Sequence, residues 1–389
     1  MQGVGSVCLS LRYYRPIQFL VLILAFVFYC EFLHYFLVLL WCQWPVLDVK
    51  NEDSSVPSGY EPPLKVMILA DTHLLGPRKG HWFDKLRREW QMYRAFQSSL
   101  AIHSPEAVFV LGDVLDEGMW ESGAEFQKDI SRFQRMFKTS HNVPQHVLVG
   151  NHDIGFHYMM SEEKHKRFEK AFDTPSAKLL RIRNNIFVLV NSMTMEGDSC
   201  KLCSEAVNLL KDISWQLKCS QGAIKKMDLP QICETIETFP YTKPILLQHF
   251  PMYRLSDSNC SLPDAAPDSE KDIPFRLRID CLTEEATNQL FDWINPRLVI
   301  DGHTHHGCYR VHDNGVPEWT VASFNWRNKR NPTFLLAVFS NNNFAVSQCF
   351  LPNEFTVISI YIFGGVFLVF TLLCSRHWFG RRVRSSKSL

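Results

Sequence analysis

With 389 residues, 41 Lys and Arg against 40 Asp and Glu, and a formal net charge of +1, the chain offers no basic field for nucleic acid and no acidic excess typical of disorder. It is long enough for one large α/β domain with additional segments. Hydrophobic residues make up 46% of it, an ordinary share, but they concentrate in one stretch near each end.

In chain order, residues 1–16 carry Arg12 and Arg15 and precede an apolar stretch over 17–41, too long for a signal-peptide core and followed by no small-residue cleavage pattern. Trp41-Cys42-Gln43-Trp44-Pro45 reads as an aromatic membrane edge. A cleaved signal sequence is the competing reading. Glu31 and His34 are costly inside a span; three residues apart on one helix face, they are expected to pair. Residues 42–63, polar and Pro/Gly-containing from 48 onward, form a linker to a domain over 64–352.

In that domain short Val/Ile/Leu-rich runs predict buried strands at Lys65–Ala70, Ala107–Leu111, His146–Val149, Ile186–Val190, Ile245–Leu247 and Leu298–Ile300. Helical periodicity marks Asp84–His103, Ser122–Lys138, Glu162–Phe172 and Thr283–Ile294. Three further strand-like runs, Trp319–Ser323, Phe334–Phe339 and Phe344–Phe350, close a mixed sheet, and residues 196–240 and 254–280 read as polar, Cys-containing insertions. A second span follows at 355–374, then a basic tail over 375–389 with Arg376, Arg381, Arg382, Arg384 and Lys387. Positive residues outside both spans predict two cytosolic termini and a lumenal or exterior domain.

Cys200, Cys203, Cys219, Cys233, Cys260, Cys281, Cys308 and Cys349 all lie in the second half of the domain, an even number that suits disulfides in an oxidising compartment. Half of a zinc knuckle at Cys200 and Cys203 is the alternative. Asn259-Cys260-Ser261 is a glycosylation sequon.

Five of the apolar runs end in the same kind of polar cluster: Asp71-Thr72-His73, Gly112-Asp113-Val114-Leu115-Asp116, Gly150-Asn151-His152-Asp153, Gln248-His249 and Gly302-His303-Thr304-His305. Strand carboxyl ends converge along one edge of an α/β sheet, so these clusters build one cage. If the segments are extended, Asp71 and His73 point the same way, as do His303 and His305. Glycines ahead of Asp113, Asn151 and His303 permit tight turns and close approach to ions. Mixed oxygen and imidazole donors suit Mn²⁺, Fe²⁺ or Zn²⁺ better than Ca²⁺, and there are too many for one ion. Two ions sharing a carboxylate can activate water and clamp an in-line displacement at phosphorus.

This ordered set resembles the calcineurin-like metallophosphoesterase superfamily over residues 65–325. The resemblance implies an αββα four-layer sandwich, here flanked by two transmembrane helices, with two divalent ions, foremost Mn²⁺. By motif, Asp71, His73, Asp113 and His305 would hold one ion; Asp113 would bridge to a second, completed by Asn151, His249 and His303. His152 matches the general acid and Asp116 the carboxylate that orients it, with Asp153 a second candidate for that role. Where protein phosphatases of the superfamily carry an Arg directly before a Gly, this chain has Glu117 before Gly118, which favours a singly charged phosphodiester unless Arg254 supplies the missing cation.

Two flanking spans and a lumenal site further resemble the membrane-anchored branch of the superfamily that remodels glycosylphosphatidylinositol (GPI) anchors. That resemblance implies removal of the ethanolamine phosphate side branch from the second mannose, with GPI-anchored proteins as substrate. It places the protein at endoplasmic reticulum exit sites, the intermediate compartment or cis-Golgi. Cargo receptors, or a COPI coat reading the tail, are the further partners in view, although Lys387 alone is an incomplete dilysine signal. The rivals are a lumenal phosphoesterase acting on another lipid, a nucleotide or a phosphomonoester, and a non-catalytic receptor for the GPI glycan.

Overall fold

The structure is a computed structural model that describes residues 17–48, 62–225 and 230–385. The expected cytosolic N-terminus over 1–16, most of the linker and Lys387 lie outside the described residues. The chain divides into two compact units, one holding the terminal apolar segments and one spanning Cys42–Leu351.

In the first unit, Ile17–Leu39 and Glu354–Leu373 are helices long and apolar enough to cross a membrane. The expected Glu31–His34 pair does not form. A π-helical turn over Tyr29–Leu33 widens the helix at Glu31, away from the regular α-helical spacing that would align the two side chains. Glu31 instead accepts a hydrogen bond from the Tyr361 hydroxyl, and the His34 ring lies 5.7 Å from Tyr29.

The second unit is built on two sheets. The first contains β1 (Leu64–Leu69), β2 (Ala107–Val110), β3 (Gln145–Val147), β10 (Thr333–Phe339) and β11 (Phe344–Phe350), in the spatial order β11-β10-β1-β2-β3. The second contains β4 (Ala177–Ile182), β5 (Asn185–Val190), β6 (Ile245–Gln248), β7 (Leu298–Asp301), β8 (Cys308–Val311) and β9 (Pro317–Thr320), ordered β4-β5-β6-β7-β9-β8. In the first sheet β1, β2 and β3 run parallel while β10 and β11 pair antiparallel; in the second, β5, β6, β7 and β9 are parallel and the two edge strands β4 and β8 are antiparallel.

Alternation explains how the sheets meet. Leu64, Val66, Ile68 and Ala70 point into the space between them, where they join Phe109, Phe187, Leu247, Ile300 and Leu335 in one buried cluster. Met67 and Leu69 point the other way and are buried too, because helices α1 (Trp82–His103) and α2 (Gly123–Met136) cover that face. The other long helices of this unit are α3 (Glu162–Phe172), α4 (Lys201–Lys225) and α5 (Glu284–Ile294), of which α4 packs on β4 and α5, and a single short helical turn spans Asn151–Ile154. This is the expected two-sheet α/β architecture.

Helix starts follow their caps. Ser122 accepts from the Glu125 amide while the Glu125 carboxylate accepts from the Ser122 amide at 2.9 Å, and Thr283 caps α5. Three elements escape a reading by residue pattern. Edge strands β4 and β8 carry mixed polar and apolar residues, and α4 occupies the stretch read as a polar insertion. Cys200–Cys203, Cys219–Cys233 and Cys260–Cys308 are disulfides, so the CxxC pair offers no thiolates to zinc. The disulfides expected from the cysteine count thus form for six of the eight, while Cys281 and Cys349 are buried thiols without a partner from that set.

Candidate metal centre

The carboxyl ends of β1, β2, β6 and β7, together with the turn after β3, bring all seven expected ligands to one place. The segments are not extended as anticipated. Asp71, His73, Asp113, His303 and His305 all sit at positive φ, between 42° and 74°. That strain is held by long-range hydrogen bonds: Ser323 Oγ donates to Asp71 O at 2.7 Å and Asn325 Nδ2 to Thr72 O at 2.7 Å. Gly112 adopts φ 92°, and a Cβ on Gly150 would lie 2.1 Å from Asp113 Oδ1.

Asp71, His73 and His305 form one group of donors, and Asp113, His249 and His303 another, each within 4.8 Å. In the first, His73 Nε2 lies 3.0 Å from His305 Nε2 and 3.7 Å from Asp71 Oδ1. In the second, His249 Nε2 lies 3.3 Å from Asp113 Oδ2 and 3.1 Å from Asn151 Oδ1. Asp113 Oδ2 is also 3.5 Å from His73 Nε2, so this one oxygen stands between the groups.

Hydrogen bonds on the far side of each ring set which nitrogen faces the cluster. His249 Nδ1 donates to Leu111 O at 2.7 Å, which leaves Nε2 as the inward lone pair. His303 Nε2 donates to Ile279 O at 2.6 Å, so its inward atom is Nδ1. Buried Asp71 Oδ1 and His303 Nδ1 have no hydrogen-bond partner, a costly condition that coordination to cations would relieve. The donor set therefore fits two divalent ions.

The electrostatics agree. Burial opposes charge on His73, but the carboxylates of Asp116, Asp71 and Asp113 outweigh it and push the ring up to about 10. Asp113 and Asp71 similarly raise His249 to about 9 against burial. Burial lowers His303 to about 4 and His305 to about 3. Protons on two rings stand where cations would otherwise balance the carboxylates.

His152 projects beside the cluster, its ring centroid 4.6 Å from that of His73. Its Nδ1 contacts the Asp116 carbonyl at 2.9 Å and the Asp116 carboxylate only at 3.6 Å, so the backbone of Asp116 does most of the orienting. The carboxylate itself lies 3.3 Å from His73 Nδ1. Asp153 takes no part in orienting His152, because its oxygens accept from the Leu115 and Gly150 amides at 2.9 and 2.8 Å. Glu117 is turned away, accepting from the Arg78 and Lys79 amides. Arg254 supplies no cation here either, being buried against Asp257 and Thr320. Beside Asp116 stand Arg327 and Lys79, both paired with its Oδ2, Lys79 at 3.7 Å. Nothing in the sequence around either residue marks it, since both arrive on loops.

A cleft of about 500 Å³ opens over the cluster, lined by Asp113, Asn151, His152, His303 and His305 on one side. The insertion after β6 forms the other wall with Glu270, Phe275, Arg276 and Asp280, alongside Phe156.

The family model for calcineurin-like phosphoesterases matches residues 64–307. The chain belongs to that family. Within it, the chain is 46% identical over 353 residues to metallophosphoesterase 1 of Rattus norvegicus, covering 91% of this chain and 87% of the relative. The Gallus gallus protein of the same name is 46% identical over 386 residues, 95% of each chain. Among solved structures, a dimetal phosphatase from Danio rerio aligns with a TM-score of 0.44 at 13% identity, covering 74% of this chain and 96% of that one. As a calcineurin-like phosphoesterase, this protein is a metal-dependent hydrolase of phosphate esters working with two divalent ions.

Proposed function

We propose that this phosphoesterase is a Mn²⁺-dependent phosphodiesterase that removes the ethanolamine phosphate side branch from the second mannose of GPI anchors, and so assists the anchored proteins in leaving the endoplasmic reticulum. The observation that carries the reading is the wall opposite the metal cluster. Glu270 stands there 3.6 Å from His306, a ring that burial and the Lys329 ammonium bonded to it lower to about 4. With Phe156 nearby, an exposed carboxylate and an aromatic face suit a primary ammonium group.

When bound, the ions supply Lewis acidity and a water nucleophile at neutral pH. Asp71, His73, Asp113 and His305 would hold one of them, and Asp113, Asn151, His249 and His303 the other. His152, oriented through Asp116, delivers a proton from Nε2 to the leaving sugar oxygen. Lys79 and Arg327, paired with Asp116 beside the cluster, can meet the negative charge of a bound phosphate ester. The two spans tether the domain to the bilayer that carries a lipid-linked substrate, raising their effective concentration. Three disulfides favour an oxidising lumen, and hence a domain facing the interior of the endoplasmic reticulum exit sites, intermediate compartment or cis-Golgi.

The cationic pair at Asp116 also gives weight to one rival, a phosphomonoesterase. With Mn²⁺ present, bis-p-nitrophenyl phosphate should turn over faster than the monoester; the reverse order would favour that rival. For the substrate, anchors from cells lacking the protein should retain an extra ethanolamine phosphate by mass spectrometry, and anchors of normal mass would end the proposal.

A further inference from the structure

We propose that Cys42 and Cys349 form a disulfide that ties the segment leaving the first apolar helix to the last strand of the first sheet. Cys349 sits on β11 opposite Phe334 and is 1% exposed. Cys42 follows directly after the first apolar helix, in a segment pinned to the domain by independent contacts. Ser347 Oγ donates to Gln43 O at 3.0 Å, Trp44 Nε1 donates to His103 O at 3.1 Å, and Asn343 Nδ2 donates to Asp48 O at 2.9 Å. The nearness of the two thiols therefore follows from how residues 42–48 lie along β11. Their sulfurs lie within 4.8 Å of one another and of a His103 ring nitrogen. Side-chain rotation is the movement that would bring them to the bonding distance of about 2 Å.

The remaining domain cysteines sharpen the assignment. Six are already joined in pairs, which marks the compartment as oxidising. Cys281 is a buried thiol whose sulfur contacts the Arg254 carbonyl at 3.6 Å, so Cys349 finds its partner outside the domain's own set. A metal is the competing occupant, because His103 Nε2 is buried without a hydrogen-bond partner. Three donors nonetheless fall short of the four that a closed structural zinc site uses.

The bond forms by exchange with the disulfide of a lumenal thiol–disulfide oxidoreductase. The Cys42 thiolate, favoured by the hydrogen bond from Cys349, attacks one sulfur of that disulfide and expels the other as a thiolate. The Cys349 thiolate then attacks Cys42 Sγ in the mixed disulfide. Two electrons and two protons pass from the cysteine pair to the oxidoreductase, which leaves as a dithiol.

The test uses the full-length protein in membranes, denatured without reductant in the presence of a maleimide and then digested. A linked peptide pair containing Cys42 and Cys349 is expected, with neither residue alkylated. In Cys42→Ser, Cys349 should become maleimide-reactive, and in Cys349→Ser, Cys42 should. Alkylation of both thiols in the unmodified protein would overturn the proposal, as would a zinc ion released as they become reactive, or a peptide linking Cys349 to Cys281. The mapping of the natural protein decides alone if either variant fails to fold, and it stands apart from the identity of the substrate.

Discussion

The residues that crowd the cleft carry the sharpest predictions. Five expected ligands adopt a left-handed backbone that ordinary side chains avoid, and hydrogen bonds from Ser323 and Asn325 hold the Asp71–His73 segment there. His152 stands beside this group without belonging to it. His152→Ala should leave both ions in place by elemental analysis and lower kcat by roughly 10²–10⁴-fold on an alkyl ester. The loss should shrink with a nitrophenyl leaving group, which needs no proton. Equal losses on both would remove His152 from the general-acid role. The rings of His73 and His249 make a second prediction. Both hold protons well above the ordinary 6.5 in the absence of ions. Loading at pH 7.5 should therefore expel about two protons, with apparent affinity rising with pH until about 10 and falling in acid. Calorimetry in buffers of different ionisation enthalpy measures this directly, and loading without proton release would contradict it.

At the level of elements, strands with apolar residues on both faces were legible from their Val, Ile and Leu runs, and so were helices with clear caps such as Ser122 and Thr283. Edge strands β4 and β8 were not, because one face of each meets solvent and their polar residues dilute the pattern. Helix α4 was missed because its cysteines and polar residues read as a loop. The core between the sheets depends on interdigitated side chains of the central strands. Leu247→Ala on β6, fully buried there, should cost about 2–5 kcal/mol in denaturant unfolding with little change in the ligand geometry. A loss under about 1 kcal/mol would mean the two sheets repack freely.

For the whole molecule, two apolar helices bracket a domain that carries its disulfides and its sequon on the same segment of chain. Asn259 is exposed beside the Cys260–Cys308 bond. In cells it should carry an N-glycan removable by endoglycosidase, and an unmodified Asn259 together with protease sensitivity from the cytosolic side would reverse the proposed topology. Two long apolar helices, the order of the five polar clusters and the pairing of strands with helices were written in local residue patterns, because hydrophobic period and turn chemistry act over a few neighbours. Where Glu117, Arg254, Arg327 and Cys42 point was decided only by folding. Glu117 turns to the Arg78–Lys79 loop, Arg254 is consumed by Asp257, and Arg327 reaches Asp116 from more than two hundred residues away. The direction of such a side chain is set by packing and charge partners distant along the chain, and one-dimensional spacing does not contain them.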